Sequence, residues 1–124
     1  MREITDHIVP GDAMNHQLKV TALDGPGPGN ASHVYGIDWD TAEGVKPAVS
    51  IRFQNGPIKE AGVNGVSGEA LLAILIDRMR GFQSGPFRSE HNGFALVHLE
   101  IALEHLQART KERITRGVEG TNAK

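Results

Sequence analysis

The stretch that decides the fold is FQNGPIKEAGVNGVSGEALLAILIDRMRGFQSGPF, Phe53 to Phe87. Its hydrophobic period changes partway along. Up to Gly65 it holds glycines, a proline and an Asn-Gly pair, which fix backbone shape and supply turns. From Ser67 the spacing is helical. Ser67 is a good N-cap, and Glu69 sits in the first turn, where the helix dipole favours an acid. Leu71, Leu72, Ile74, Leu75, Ile76, Met79 and Phe82 follow. LLAILI is apolar on nearly every side, so this helix is expected to be buried on more than one face. Gly85-Pro86 ends it.

Downstream, Ser89 is placed to cap a second helix running to about Arg116, where Gly117 stops it. Leu96, Leu99, Leu103 and Leu106 form a seam at heptad spacing. The short Gly-Pro connection makes the two helices an antiparallel hairpin. The second helix would be roughly 40 Å long, whereas a ~100-residue domain has a radius of gyration of about 13 Å. It must protrude, so the all-round apolar first helix beside it needs another cover, and another copy of the chain is the simplest one. A homo-oligomer, dimer or hexamer, with the hairpins at the interface is expected. Residues 117–124 (GVEGTNAK) read as a frayed tail.

Upstream, residues 1–17 are polar and mixed, with no clear period. Leu18–Asp24 (LKVTALD) alternates and reads as a strand. Gly25–Ala31 (GPGPGNA) is a loop. His33–Asp40 sets Tyr35, Ile37 and Trp39 against Val34, Gly36 and Asp38, and so reads as a second strand. Pro47–Gln54 is a third, with Val49, Ile51 and Phe53 on one face. Short turns between strands suggest an antiparallel meander. The fold class expected is α+β: an antiparallel sheet over residues 1–56, then a helical hairpin over 57–124.

Composition narrows the function. A chain of 124 residues is one domain, or one with a small appendage. It has no cysteine, which excludes disulfides and thiolate metal sites. No apolar run approaches the ~20 residues of a membrane span, and the N-terminus carries no secretion pattern. The net charge of -2 argues against a general nucleic-acid binder.

Several residue groups carry possible chemistry. Arg109, Arg113 and Arg116 fall at i, i+4 and i+7 on one helical face. They suit an anion clamp, since guanidinium forks match phosphate oxygens; equally, cations at a helix C-terminus complement its dipole. Phe82, Phe87 and Asn92 cluster about the interhelical turn. They offer an aromatic platform with an amide to read a base edge, or ordinary hairpin core. Asn64, Gly65 and Ser67 precede the first helix, where free N–H groups suit an anion or a plain N-cap. His91, His98 and His105 recur every seven residues, about 10 Å apart, too far for one metal ion. Asp38, Asp40 and Glu43 could do acid-base work, but no nucleophile with an adjacent base is present. No cofactor is expected.

The blocks FQNGPIKE, GVNG, EALLAI and DRMRGFQSGPF, with the Arg109, Arg113 and Arg116 spacing leading into RGVEGT, resemble a phage family. It is the first type of Thoeris anti-defence sponge proteins, whose helical hairpin is shared with the anti-CBASS sponges. The resemblance covers rather more than half the chain, Ile51 to about Thr121. It implies sequestration of cyclic ADP-ribose signals made by TIR-domain enzymes, without cleavage, in the cytoplasm of an infected bacterium. It further implies that Phe82 stacks the adenine, Asn92 hydrogen-bonds it, and Arg109 and Arg113 grip the pyrophosphate at a hairpin interface. A second pocket for cyclic di- or trinucleotides would use Asn64-Gly65 and the helix start, with Arg52 or Lys59. After GPF this chain reads RSEHNGF, where the family's usual run has small residues or cysteine and an Arg-Glu-Asn step. That difference bears on the rim of the pocket. Two other readings stay open: an enzyme that hydrolyses a cyclic nucleotide, and a hairpin that docks another protein.

Overall fold

The alternating segments fold as a four-stranded antiparallel sheet in chain order. Its strands are β1 (Arg2–Ile4), β2 (Lys19–Ala22), β3 (Val34–Asp38) and β4 (Ala48–Arg52). The computed structural model describes residues 1–124. Register places Val20 opposite Ile37 and Ile37 opposite Val49, with Tyr35 between Ala22 and Ile51. Successive side chains alternate sides, so these residues share one apolar face, as expected for the second and third predicted strands. The rings of Tyr35 and Phe53 meet edge to face, with centroids 5.6 Å apart. The other face carries Lys19, Thr21, Asp38, Ser50 and Arg52.

β1 lies within the segment that showed no period. Three residues are too few to display alternation, and β1 is an edge strand paired only with β2. The Gly25–Ala31 loop is closed from its ends. The Asp24 carboxylate accepts the N–H groups of His33 and Val34, both at 3.0 Å, and the Ser32 hydroxyl donates to the Asp24 carbonyl. These bonds, that of Val34 foremost, hold the Asp24 carboxyl below the ordinary carboxylate range.

The chain forms two units. One comprises Met1–Gly56 with Val63–Gly65, and the other Pro57–Gly62 with Val66–Lys124. Gly65 explains why the chain returns to the sheet unit where it does. A Cβ built there would lie 2.5 Å from the Phe53 carbonyl carbon and 2.7 Å from the Arg52 oxygen, so only glycine fits. Asn64 beside it acts as a strap. Its Oδ1 accepts the Asn55 N–H at 2.8 Å, and its Nδ2 donates to the Asn55 carbonyl at 2.7 Å.

The second unit holds α1 (Ile58–Ala61), α2 (Gly68–Gln83) and α3 (Glu90–Thr115). The short α1 was not legible beforehand. Ser67 and Ser89 cap α2 and α3 as expected, accepting from the N–H of Ala70 and of Asn92, each at 3.1 Å. Gly117, at φ +74°, ends α3. The Val118 N–H donates to the Arg113 carbonyl and the Gly117 N–H to that of Ile114, both at 3.0 Å, the paired bonds of a Schellman terminus. Leu96, Leu99 and Leu103 are half-buried along the hairpin seam, and Ile76 is its buried apolar residue.

Within one chain α2 leaves apolar surface uncovered, with Ile74 58% exposed. One expectation fails here: the tail is not frayed. Residues 118–123 fold back onto the end of α3, and the Gly120 carbonyl accepts the Lys59 N–H at 3.1 Å, which ties the tail to α1. No helix is long and apolar enough to cross a membrane.

Candidate functional site

The predicted ligand residues fall into three places. The first is the turn between α2 and α3. Phe82 is half-buried in the last turns of α2, and Phe87 is exposed in the connection. Asn92, in the first turn of α3, is half-buried, with its amide turned weakly toward the Phe87 carbonyl at 3.5 Å. Gln83 fixes this connection. Its Nε2 donates to the Ser89 carbonyl and its Oε1 accepts the Ser89 N–H, both at 3.0 Å. Gly93 makes room for that amide: a Cβ there would stand 3.1 Å from Gln83 Nε2. Gly93, within the RSEHNGF run, thus has a packing reason. Above Phe82 lies the guanidinium of Arg78, 5.4 Å from the ring centroid.

The second place is the C-terminal end of α3, and here the expectation of three like arginines is corrected. Arg109 is exposed and makes no hydrogen bond or ion pair within the chain. Arg116 pairs with Glu112 at 2.8 Å and also donates to the Lys124 carbonyl. Arg113, read from its spacing as part of an anion clamp, is only 7% exposed. Its Nε donates to Glu119 at 3.1 Å, Nη1 to the Ala123 carbonyl at 2.6 Å, and Nη2 to the carbonyls of Val118 and Thr121 at 3.1 and 3.2 Å. A buried guanidinium must fill its donor positions, and the tail supplies the acceptors.

The two places are far apart in one chain. Asn92 and Arg109 lie on the same continuous helix, 17 residues apart, or about 25 Å at 1.5 Å per residue. No mononucleotide-sized molecule reaches both from a single hairpin.

The third place is in the sheet unit. Arg52 and Asn64 line a cavity of about 220 Å³ with His33, Val34, Phe53 and Asn55. Arg52 is exposed and unpaired. His33 is 8% exposed, and its Nδ1 is buried without a partner. The Asn64 amide is already committed to Asn55, and Gly65 to its close approach. Lys59 and Ser67, grouped with these from the sequence, belong to the other unit; the Ser67 hydroxyl caps α2. A larger apolar cavity of about 480 Å³ is lined by Met14, Gln17, Leu18, Ile37, Trp39 and Val49. No group of three His, Asp or Glu side chains is placed to hold a metal ion.

Set against known proteins, residues 46–111 match the family model described as the Acb2/Tad1 hairpin domain. The chain belongs to the Acb2/Tad1 hairpin-domain family. The matched segment spans β4, α1, α2 and α3 as far as Lys111. It therefore contains Phe82, Asn92 and Arg109, while Arg113, Arg116 and the folded tail lie beyond it. A relative named Thoeris anti-defense 1, from Bacillus phage SBSphiJ7, is 47% identical over 75 residues. The alignment covers 60% of this chain and 53% of that relative, so this member of the family spans about half the length of the curated protein it matches. The blocks FQNGPIKE, GVNG, EALLAI and DRMRGFQSGPF fall inside the matched segment, and RGVEGT lies beyond it.

Arg78, Gln83, Asn55, His33 and Glu119 were not singled out from the sequence. For Arg78 a signal existed, its i, i+4 spacing to Phe82. Gln83 and Glu119 act through folded loops that no spacing reveals.

Proposed function

We propose that this protein is an anti-defence binder that sequesters a cyclic ADP-ribose signal, glycocyclic ADP-ribose first among them, inside an infected bacterium and releases it unchanged. Family membership supports the class of function. The observation that carries the reading is the split of complementary groups between the two ends of α3. An aromatic ring and an amide, Phe82 and Asn92, suit an adenine; the unpaired Arg109 guanidinium suits a pyrophosphate. Their separation of about 25 Å calls for two copies of the chain, so that the turn of one hairpin meets the arginine end of another.

The uncovered apolar surface favours that association. Ala22 and Ile76 are the buried apolar side chains of the whole chain, while Phe94, Val97 and Ile101 line the face of α3 that turns away from α2. Such surface is stabilised by removal from water. Arg113 frames the end of α3 through the tail, and Arg109 is the guanidinium free to take the anion. A sequestering protein acts stoichiometrically. Competing with a signalling receptor requires roughly nanomolar affinity, about -12 kcal/mol, which burial of a ligand between chains can supply.

Titration calorimetry with glycocyclic ADP-ribose, followed by denaturation and chromatography of the recovered ligand, tests the reading. Tight binding and intact ligand are expected. Recovery of linear ADP-ribose, or turnover beyond one ligand per site, would favour an enzyme; absence of heat would favour a protein-docking hairpin.

The Arg52 cavity supports a second ligand class, the cyclic oligonucleotides. Its volume of about 220 Å³ is below the ~300 Å³ of small-molecule pockets, so it would take one base or phosphate of a larger ring. Competition between a cyclic dinucleotide and glycocyclic ADP-ribose tests this: independent binding is expected, and Arg52→Ala should weaken only the dinucleotide.

A further inference from the structure

α2 carries two arginines. Arg80 reaches across to α3 and pairs with Glu100 at 2.9 Å. Arg78 is exposed and has neither an ion pair nor a hydrogen bond. Its one specific contact is the ring of Phe82, four residues on along α2. Side chains at i and i+4 share a helix face, and that of the later residue leans back toward the helix N-terminus. The pair is therefore built into α2 itself and requires no help from the tail or the connection.

We propose that Arg78 is a positioning residue for base recognition: its guanidinium backs one face of the Phe82 ring and presents the other face to the adenine. This rests on the reading that Phe82 stacks a base. Three physical effects act together. A guanidinium held against the ring restricts its rotamers before the ligand arrives, which lowers the ordering cost of binding. It occupies one π-face, so a base is directed to the opposite one. It also draws electron density out of the ring, which favours stacking of an electron-rich purine. Lysine at this position would keep the charge and lose the planar layer.

The test is a double-mutant cycle on the full chain, titrated with glycocyclic ADP-ribose: wild type, Arg78→Ala, Arg78→Lys, Phe82→Leu and the Arg78→Ala/Phe82→Leu double variant. Arg78→Ala is expected to weaken binding about 5- to 30-fold, with Arg78→Lys intermediate. In the Phe82→Leu background the same substitution should change affinity by less than about twofold, because the effect passes through the ring. An equal loss in both backgrounds would make Arg78 an independent phosphate contact and overturn the proposal, as would no loss in either. If the wild type binds no cyclic ADP-ribose, the functional reading falls on that result alone. The pair is judged separately in the ligand-free protein, where the Arg78 Nε–H resonance should carry a ring-current shift that disappears in Phe82→Leu. A resonance indifferent to that substitution overturns the proposal.

Discussion

The guanidinium of Arg113 closes on the carboxylate of Glu119, Nε to Oε2 at 3.1 Å, and the tail supplies three further acceptors, the carbonyls of Val118, Thr121 and Ala123. An arginine that spacing alone would place in a ligand clamp thus organises the end of its own chain. Arg109, one turn earlier on the same helix, has no such duty.

The two arginines should therefore separate by phenotype. Arg113→Ala strands several acceptors and removes a buried charge from its partners. A destabilisation of about 2–3 kcal/mol is expected, with rapid amide exchange at residues 118–123. Arg113→Lys should recover little, since an ammonium cannot reproduce the fork. Arg109→Ala should leave stability within about 0.5 kcal/mol and abolish binding of cyclic ADP-ribose. Chemical denaturation and calorimetry of the same samples check both.

A site assembled from two copies makes a mixing prediction. Phe82→Ala and Arg109→Ala chains should each lose tight binding. Co-refolded together, they should restore about one site in four, because half of random dimers are mixed and one of the two sites in each is intact. No recovered binding would rule out a site shared between two chains.

Glycines offer a stability contrast. Gly65→Ala drives a methyl into the Phe53 carbonyl and should prevent folding or cost several kcal/mol. A Cβ at Gly81 meets nothing within 4 Å, so Gly81→Ala in α2 should stabilise by about 0.5–1 kcal/mol. Thermal unfolding of the two variants should move in opposite directions.

Acid should loosen the Gly25–Ala31 loop. Asp24 has a folded-state pKa below its unfolded value. Its contribution is full above the unfolded value, about 3.9, and is lost as pH falls through the folded one. Stability of wild type should therefore decline below about pH 4 more steeply than that of Asp24→Asn, which cannot titrate. Parallel curves for the two proteins would remove Asp24 from the acid response.

Much of the architecture was legible because its signals are local. Ser67, Ser89 and Gly117 mark helix ends through capping chemistry that needs no tertiary partner, and all three act where the sequence placed them. The faces of β3 and β4 follow from alternation. What escaped detection depends on contacts distant in sequence or on elements too short to show a period. β1 is three residues long and α1 four. Burial of Arg113 depends on a tail whose glycines suggested disorder, yet Gly117 and Gly120, at φ +74° and +82°, are what allow it to turn back. The candidate ligand residues were found as types; their partition between opposite ends of α3 required the helix to be seen whole.

Between Gly56 and Val66 the polypeptide passes from the sheet unit to the hairpin unit, back, and over again. Three covalent crossings, rather than one linker, join the halves. A cut at any single bond in this interval therefore leaves a fragment of one unit attached to the other. A hairpin excised from Val66 onward would lack α1 and with it the Lys59 anchor of the tail. The segment that matches the family model, residues 46–111, takes β4 from the sheet and stops before Arg113. It is thus not a folding unit, and grafting it onto another scaffold would require both ends to be rebuilt.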